Sequence, residues 1–379
     1  MVNYDFLSVY FYSVPNLRFE KFNNNWSRTT ISKVCVCNPK NEDKLDDEFI
    51  YIDLESVEKG VLKSKNIIHL KNAPSRAQRI LYKNDILFQS VRPYQRNNYL
   101  LNEDDDFLQY VASTGYIQLR TTLNPYFLFQ LLNTDKINNE VMLRCTGTSY
   151  PAINSNDFSN ILITITNDRN EQNKIAKFFS LIEERIQTQI KIIDSYFSLS
   201  KAISNTLIGQ SKGNTRLREC LNCYSSNTME SVIKQEDLGD YPVYGANGII
   251  KKINNYEIEY PSIAIVKDGS GVGKMFKLSG KYSILSTLNY LTSKPGYDID
   301  YIYYALKQKS LKKYVVGSGI PHIYFKDYEQ EKIYIPQNEL QQQNITSVLQ
   351  SIDEEIGNEI KQLKNYELLK KYLLKNMFV

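Results

Sequence analysis

Apolar residues recur along this chain in two matching stripes. Between residues 174 and 208 they fall at Ile175, Phe178, Phe179, Ile182, Ile186, Ile190, Ile193, Phe197, Ile203 and Leu207. Steps of three, four and seven put one apolar face on a long helix. The last segment repeats the pattern at Ile345, Val348, Leu349, Ile352, Ile356, Ile360, Leu363, Leu373 and Met377, with partners displaced by a constant 170 positions. At about 1.5 Å per residue each helix would be on the order of 50 Å long. Outside these helices the pattern shortens. Residues 49–52, 85–88 and 262–266 read as strands, apolar and β-rich between polar turns. Asn124 and Pro125 open a helix over 126–133, and 301–309 is a helix in the corresponding place of the second half.

The register of 170 extends beyond the helices. Gly147, Pro151 and Ile153 precede Asp157, Phe158 and the alternating Ile161, Ile163 and Ile165; Gly317, Pro321 and Ile323 precede Asp327, Tyr328, Ile333 and Ile335. Repetition of this length marks each half as a duplicated structural unit. Polar connections at Asn167-Asp168 and at Pro336-Gln337 suit helix starts, and the stretch from Gly209 to Gly213 suits a linker. The expected plan is α+β, globule, rod, globule, rod. It comprises a leader over 1–25 with a breaker at Val14-Pro15, a first globule over 26–166 and a central helix over 167–212. A second globule over 213–337 and a terminal helix over 338–379 complete it.

A length of 379 residues, 42% of them hydrophobic, allows two or three domains with real cores. The net charge of +4 permits nucleic-acid binding without demanding it. Charge differs between the globules: residues 241–335 hold 13 Lys against 8 acids, whereas residues 2–165 hold 18 basic and 18 acidic residues. The first globule must therefore segregate its charge by face to meet a polyanion. Arg76, Arg79, Lys83, Arg92 and Arg96 lie apart in sequence from the acidic runs at 42–48 and 103–106. Five cysteines, and no charged start followed by an apolar core, argue against a secreted disulfide framework and for a reducing cytoplasm. No apolar run approaches the eighteen or so residues of a membrane span.

Candidate chemistry is sparse. Gly269, Gly271, Gly273 and Lys274 evoke a phosphate loop, but a Walker A motif needs four residues between its glycines and Ser or Thr after the Lys, where Met275 stands. A glycine-rich turn between strands fits better, with amides and Lys274 available to a DNA phosphate. Asn124-Pro125-Tyr126-Phe127 lacks the second Pro of the amino-methyltransferase signature, and no glycine-rich S-adenosylmethionine loop follows a strand. Cys220 and Cys223 have no second pair or His cluster to complete a zinc site, so they read as ordinary thiols. Only His69 and His322 could serve a nucleophilic triad, and the counterpart of His322 in the first half is Ala152. No catalytic site is visible.

Taken together, these features resemble the specificity subunit of type I restriction-modification systems. The likeness spans essentially the whole chain. It rests on the two globule-plus-helix halves, the turns at Gly147 to Ile153 and Gly317 to Ile323, and the helix approach from Ile335-Pro336 through Gln341 to Ile345. Tyr241 to Gly248 followed by Asp268-Gly269 and Gly271 to Gly273 looks like a recurring type of target-recognition domain, and Val14 to Phe19 through Trp26 looks like the family's N-terminal start. The resemblance implies a non-catalytic reader of double-stranded DNA, with two mixed α/β target-recognition globules joined by two long antiparallel helices in a pseudo-twofold internal repeat. It implies two copies of a methyltransferase subunit, which carry the S-adenosylmethionine, and a motor-nuclease subunit for restriction. This chain itself would bind no cofactor, metal or membrane. DNA contacts are expected from Arg76, Arg79, Arg92, Tyr94 and Arg96 in the first globule. Asn247, Lys251, Lys252, Lys267, Ser270 and Lys274 are the expected contacts in the second. The glycine turn is present in one globule only, so the two half-sites should differ. The rival readings are the recognition subunit of a combined restriction-methylation enzyme and a helical scaffold that binds no DNA.

Overall fold

In the computed structural model, residues 14–102, 107–233 and 239–379 are described. Most of the expected leader, residues 1–13, and the acidic run 103–106 lie outside them. The chain forms two compact units, Met1–Gln189 with Gln362–Val379 and Ile190–Lys361. The long helices are Arg169–Ser204, 36 residues, and Glu339–Met377, 39 residues. The first begins five residues before the expected apolar stripe and widens into a π turn at Asn205–Gly209, which ends where the expected linker, Gly209 to Gly213, begins.

Each unit contains an antiparallel stretch of this helix pair. In the first, Arg185 donates to the Tyr366 hydroxyl at 3.1 Å, Lys370 pairs with Glu183, and Phe179 packs on Phe378 with ring centroids 5.8 Å apart. In the second, Ile203 and Ile208 share a core with Ile345 and Leu349. The apolar stripe is narrower than its sequence pattern. Ile175, Phe179, Ile186 and Ile193 are buried, as are Ile345, Leu349, Ile356, Leu373 and Met377, while Phe197, Leu207, Val348 and Ile360 are exposed. Two paired helices cover only a coiled-coil-like seam, so flanking positions of a broader face stay uncovered.

Around its helices the first unit folds a four-stranded antiparallel sheet in the order Cys35–Cys37, Tyr116–Thr121, Ile86–Gln89, Tyr99–Leu100. The second unit repeats this as Leu221–Ser225, Leu288–Ser293, Ser262–Val266, Met275–Leu278. A short antiparallel pair introduces the helix in both, Ser27–Thr30 with Leu162–Ile165 and Thr215–Arg216 with Lys332–Ile333. The expected helices are present as Pro125–Leu132, capped by the Asn124 side chain at 3.1 Å from the Phe127 N–H, and as Ile299–Lys307, capped by Asp298. Proline at the first position surrenders no hydrogen bond there. The outer sheets diverge. The first unit has four strands, Asn66–His69, Glu48–Ile52, Gln109–Ser113 and Ala77–Leu81; the second has three, Gly248–Ile253, Tyr241–Gly245 and Ser283–Ile284.

The 170-residue register is written in hydrogen bonds as well as in side chains. Buried Gln172 donates to the Thr166 carbonyl at 2.9 Å, and buried Gln342 donates to the Pro336 carbonyl at 2.8 Å. Asp168 accepts from the Asn170 N–H and Asn338 from the Leu340 N–H, both at 2.9 Å. Each long helix is thus tied by a glutamine amide to the strand end that precedes it. Gln172 also accepts from the Asn124 N–H at 2.9 Å, which locks the capped helix in place. Arg18 grips buried Glu171 through two nitrogens, at 2.6 and 2.9 Å, and fastens the N-terminal segment to the same helix start. Gln172→Leu should leave a buried carbonyl and a part-buried N–H unpaired, a loss of about 1–3 kcal/mol. Trp26 is the chain's one tryptophan and is buried in this unit, so its fluorescence should report an earlier urea midpoint; an unchanged midpoint would refute the role given to the amide.

Candidate DNA interface

In both units the Gly-x-x-x-Pro-x-Ile turn docks on the loop that leaves the third strand of the shared sheet. In the first, the Arg92 N–H donates to the Pro151 carbonyl at 2.8 Å, the Ile153 N–H donates to the Ser90 carbonyl at 3.0 Å, and Val91 bridges Ala152. In the second, the Gly269 N–H donates to the Pro321 carbonyl at 2.9 Å, the Ile323 N–H donates to the Lys267 carbonyl at 2.9 Å, and Asp268 bridges His322. Arg92 and Gly269 therefore occupy one backbone position, and both are left-handed, with φ of 54° and 92°. Glycine takes that conformation freely, whereas an arginine there stores about 1–3 kcal/mol of strain. The turn glycines are left-handed too, Gly147 at φ 89° and Gly317 at φ 95°; a Cβ on Gly317 would sit 2.5 Å from the Ile320 carbonyl oxygen.

Beside this junction the first unit has an open cleft of about 920 Å³. Arg76 and Arg92 line it, with Lys59, Lys63, Gln89, Gln95, Asn97 and Tyr150, and with Glu55 and Glu58. The Arg92 guanidinium lies 4.4 Å from the centre of the Tyr150 ring. Gln89 donates to the Gln95 amide oxygen at 2.8 Å and accepts from the Asn97 N–H at 3.0 Å, which stiffens the floor.

The other three residues expected from this globule lie elsewhere. Arg96 makes an ion pair with Asp135 at 2.7 Å. Tyr94 is exposed on the short turn Pro93–Gln95, outside the cleft lining. Arg79 is on the edge strand Ala77–Leu81, its Nε buried without a partner among the described residues, and burial pulls the guanidinium below its usual range. The separation of charge along the sequence is also not a separation in space. Asn41 hydrogen-bonds the backbone of Gln78 and Ile80, Tyr82 donates to Asp43 at 2.5 Å, and Arg120 reaches Glu42 at 3.9 Å. Strand pairing folds that acidic run against the strand that carries Arg79.

In the second unit two turns meet. Lys274 donates to the Asn247 amide oxygen at 3.1 Å, and a Cβ on Gly271 would touch Ala246 at 3.5 Å. Ser270 is exposed at the tip of the glycine turn, which joins strands Ser262–Val266 and Met275–Leu278 as the spacing predicts. Lys251 and Lys252 lie on the adjoining strand, across from Val243 and Pro242. Lys267 is half-buried at the loop's base, where its charge draws the Cys223 thiol down against the larger upward pull of burial. The structure thus joins Lys274 to Asn247, with Ser270 on the same glycine turn, while Lys251 and Lys252 lie on the strand that follows Asn247 and Lys267 lies at the base of the glycine loop.

Tyr150, Lys59, Lys63 and the Gln89–Gln95 pair were not singled out by sequence. The signal for Tyr150 was present, since it lies inside the repeated turn and aligns with exposed Ile320 at the same register. Of the two histidines, His69 pairs with Glu48 at 2.9 Å, and His322 lies in the turn junction, bridged to Asp268 and packed against Tyr324 at 5.1 Å. Among the described residues no group of three or more His, Cys, Asp and Glu could hold a metal, and no helix is long and apolar enough to cross a membrane.

The chain is a duplicated α+β fold, in which one sheet plan recurs beside long paired helices while its loops differ. Residues 215–365 match the family model described as type I restriction modification DNA specificity domain. That match lies in the second half of the chain and agrees with the resemblance to type I specificity subunits carried by the motifs. It is 34% identical over 169 residues to the Type I restriction enzyme MjaVIII specificity subunit of Methanocaldococcus jannaschii, covering 41% of this chain and 39% of that protein. It is 24% identical over 261 residues to the putative type I specificity subunit S.MgeORF438P of Mycoplasma genitalium, 61% of this chain and 65% of that one. The chain spans less than two thirds of the length of these curated relatives. Its fold is that of the crystal structure of the type I restriction-modification system S subunit from M. genitalium, with a TM-score of 0.66 at 19% identity over 97% of this chain and 99% of that one.

Burial raises the thiols of Cys35 and Cys220 to about 12 and that of Cys223 to about 11. All three stay protonated at neutral pH, and the two buried ones are shielded as well. Iodoacetamide at pH 7 should leave Cys35 and Cys220 unmodified in the native protein and alkylate both in urea, as read by peptide mass spectrometry. Rapid native alkylation of Cys220 would instead mark the Cys-x-x-C as reactive.

Proposed function

We propose that this chain is the DNA-reading subunit of a type I restriction-modification enzyme. Each globule, 26–166 and 213–337, addresses one half of a split target in double-stranded DNA, and the helices over 167–212 and 338–379 separate the halves. The chain is non-catalytic and acts in the cytoplasm. It seats two copies of a methyltransferase subunit, which bring the S-adenosylmethionine, and a motor-nuclease subunit joins for restriction. The observation that carries this reading is the shared loop junction at Arg92 and Gly269: one scaffold position, repeated, with different side chains on show. A duplicated frame with unlike loops suits two readers of unlike half-sites. Arg76 and Arg92 in one globule, and Asn247, Ser270 and Lys274 with Lys251, Lys252 and Lys267 in the other, supply donors and cations for grooves and phosphates. Arg79, Tyr94 and Arg96 lie outside the cleft and are given no base contact in this reading.

Co-expression with a methyltransferase subunit should give a stable complex on pull-down, and sequencing of methylated adenines should return a split, non-palindromic motif. A palindromic motif would overturn the two-reader assignment, and binding that depends on salt but ignores base sequence would overturn the specificity role.

Helix length should set the gap between the half-sites. One added turn, about four residues, extends a helix by roughly 6 Å, close to two base pairs at roughly 3.4 Å each. Matched insertions in both helices should lengthen the spacer by about that much, whereas an insertion in one alone should break the seam and abolish recognition. A spacer unchanged by matched insertions would leave the helices with a scaffold role only.

A further inference from the structure

We propose that Arg92 is the guanine-reading side chain of the first globule and that Tyr150 is its positioning residue; the inference rests on the DNA-reading function above. The cleft's cations differ in how they are held. Lys59 is exposed and 3.6 Å from Glu367, and Arg76 and Lys63 are exposed side chains. Arg92 is half-buried, its backbone pinned to the Pro151 carbonyl and followed by the rigid Pro93. Its guanidinium lies over the Tyr150 ring, 4.4 Å from the ring centre. Lying over the ring consumes none of the guanidinium's N–H donors, and no carboxylate among the described residues pairs with them.

An unrestrained arginine must surrender rotamer freedom when it binds. Arg92 has surrendered it already, through an unfavourable backbone conformation and an aromatic partner. That arrangement is of little use for a phosphate, which a mobile Arg76 or Lys63 can meet equally well. It suits a ligand with two acceptors side by side in a plane. Guanine presents N7 and O6 in that way in the major groove, and the guanidinium fork matches them bidentately. Gln89 donates to the Gln95 amide oxygen, and of the cations that line the cleft Arg92 is the one held over an aromatic ring among the described residues. At the equivalent position the second globule has Gly269, with no side chain to make such a contact. This contact therefore has no counterpart from that position in the second globule.

The test is selection of a randomised duplex library by the full-length chain, followed by sequencing of the bound fraction. Wild type should enrich a split motif with an invariant guanine in one half. Arg92→Lys keeps the charge and loses the fork, so it should enrich the same motif with preference lost at that one position, a discrimination of about 5- to 150-fold. Its affinity for random DNA and its salt dependence should not change. Tyr150→Ala should weaken preference at the same position, and Tyr150→Phe should restore it. An unaltered motif from Arg92→Lys would overturn the inference while leaving the DNA-reading function in place, as would loss of the entire half-site motif. Wild type that enriches no motif would overturn the DNA-reading function, and the inference with it.

Discussion

The narrow apolar seam between the two long helices is the constraint on which the rest of this protein depends. A helix of 36 residues and one of 39, both rich in charge, have little to gain from folding alone. Paired, they bury Ile175, Phe179, Ile186 and Ile193 on one side and Ile345, Leu349, Ile356, Leu373 and Met377 on the other. The same residues then serve as walls of the globule cores. Ile175, Phe179, Met377 and Phe378 belong to the core around Trp26 and Phe127, and Ile208, Ile345 and Leu349 belong to the core around Tyr301 and Ile302. Neither globule closes its hydrophobic cluster without residues from both helices.

Duplication has been kept where packing is demanding and released where it is not. The glutamine that ties each helix to its preceding strand, the cap at each helix start and the left-handed glycine of each turn recur at one register. A buried amide left unpaired there would be expensive. The outer sheets share no such count of strands, and the loops they support present an arginine on a tyrosine in one globule and a glycine turn in the other. Rigid elements position the loops, and the loops are free to differ.

Much of the fold was legible as pattern. Periodicity located both long helices to within about five residues at the first turn, and proline with asparagine located the start of the helix at Pro125. The candidate interface was legible in part. Lys274 and Ser270 came from a glycine-rich stretch whose turn-forming chemistry is local, and Lys274 does reach Asn247. Arg79 and Arg96 were selected for charge alone, and charge does not say which way a strand faces or which carboxylate a loop will meet. Arg79 is half-buried on an edge strand and Arg96 is spent on Asp135.

The sequence by itself determined the duplication, the helices and the turn that links each globule to its helix, because all three are encoded by spacing: period 3.6 for the stripe, 170 for the repeat, and glycine where φ must be positive. Tertiary structure alone decided that Arg92 and Gly269 are the same position, since their separation is 177 rather than 170 and no common motif surrounds them. It also decided that the acidic run near residue 42 lies beside Tyr82 and Arg120. Such equivalences arise from strand pairing between distant segments, and a hydrogen-bond ladder leaves no periodic trace of which strand it will join.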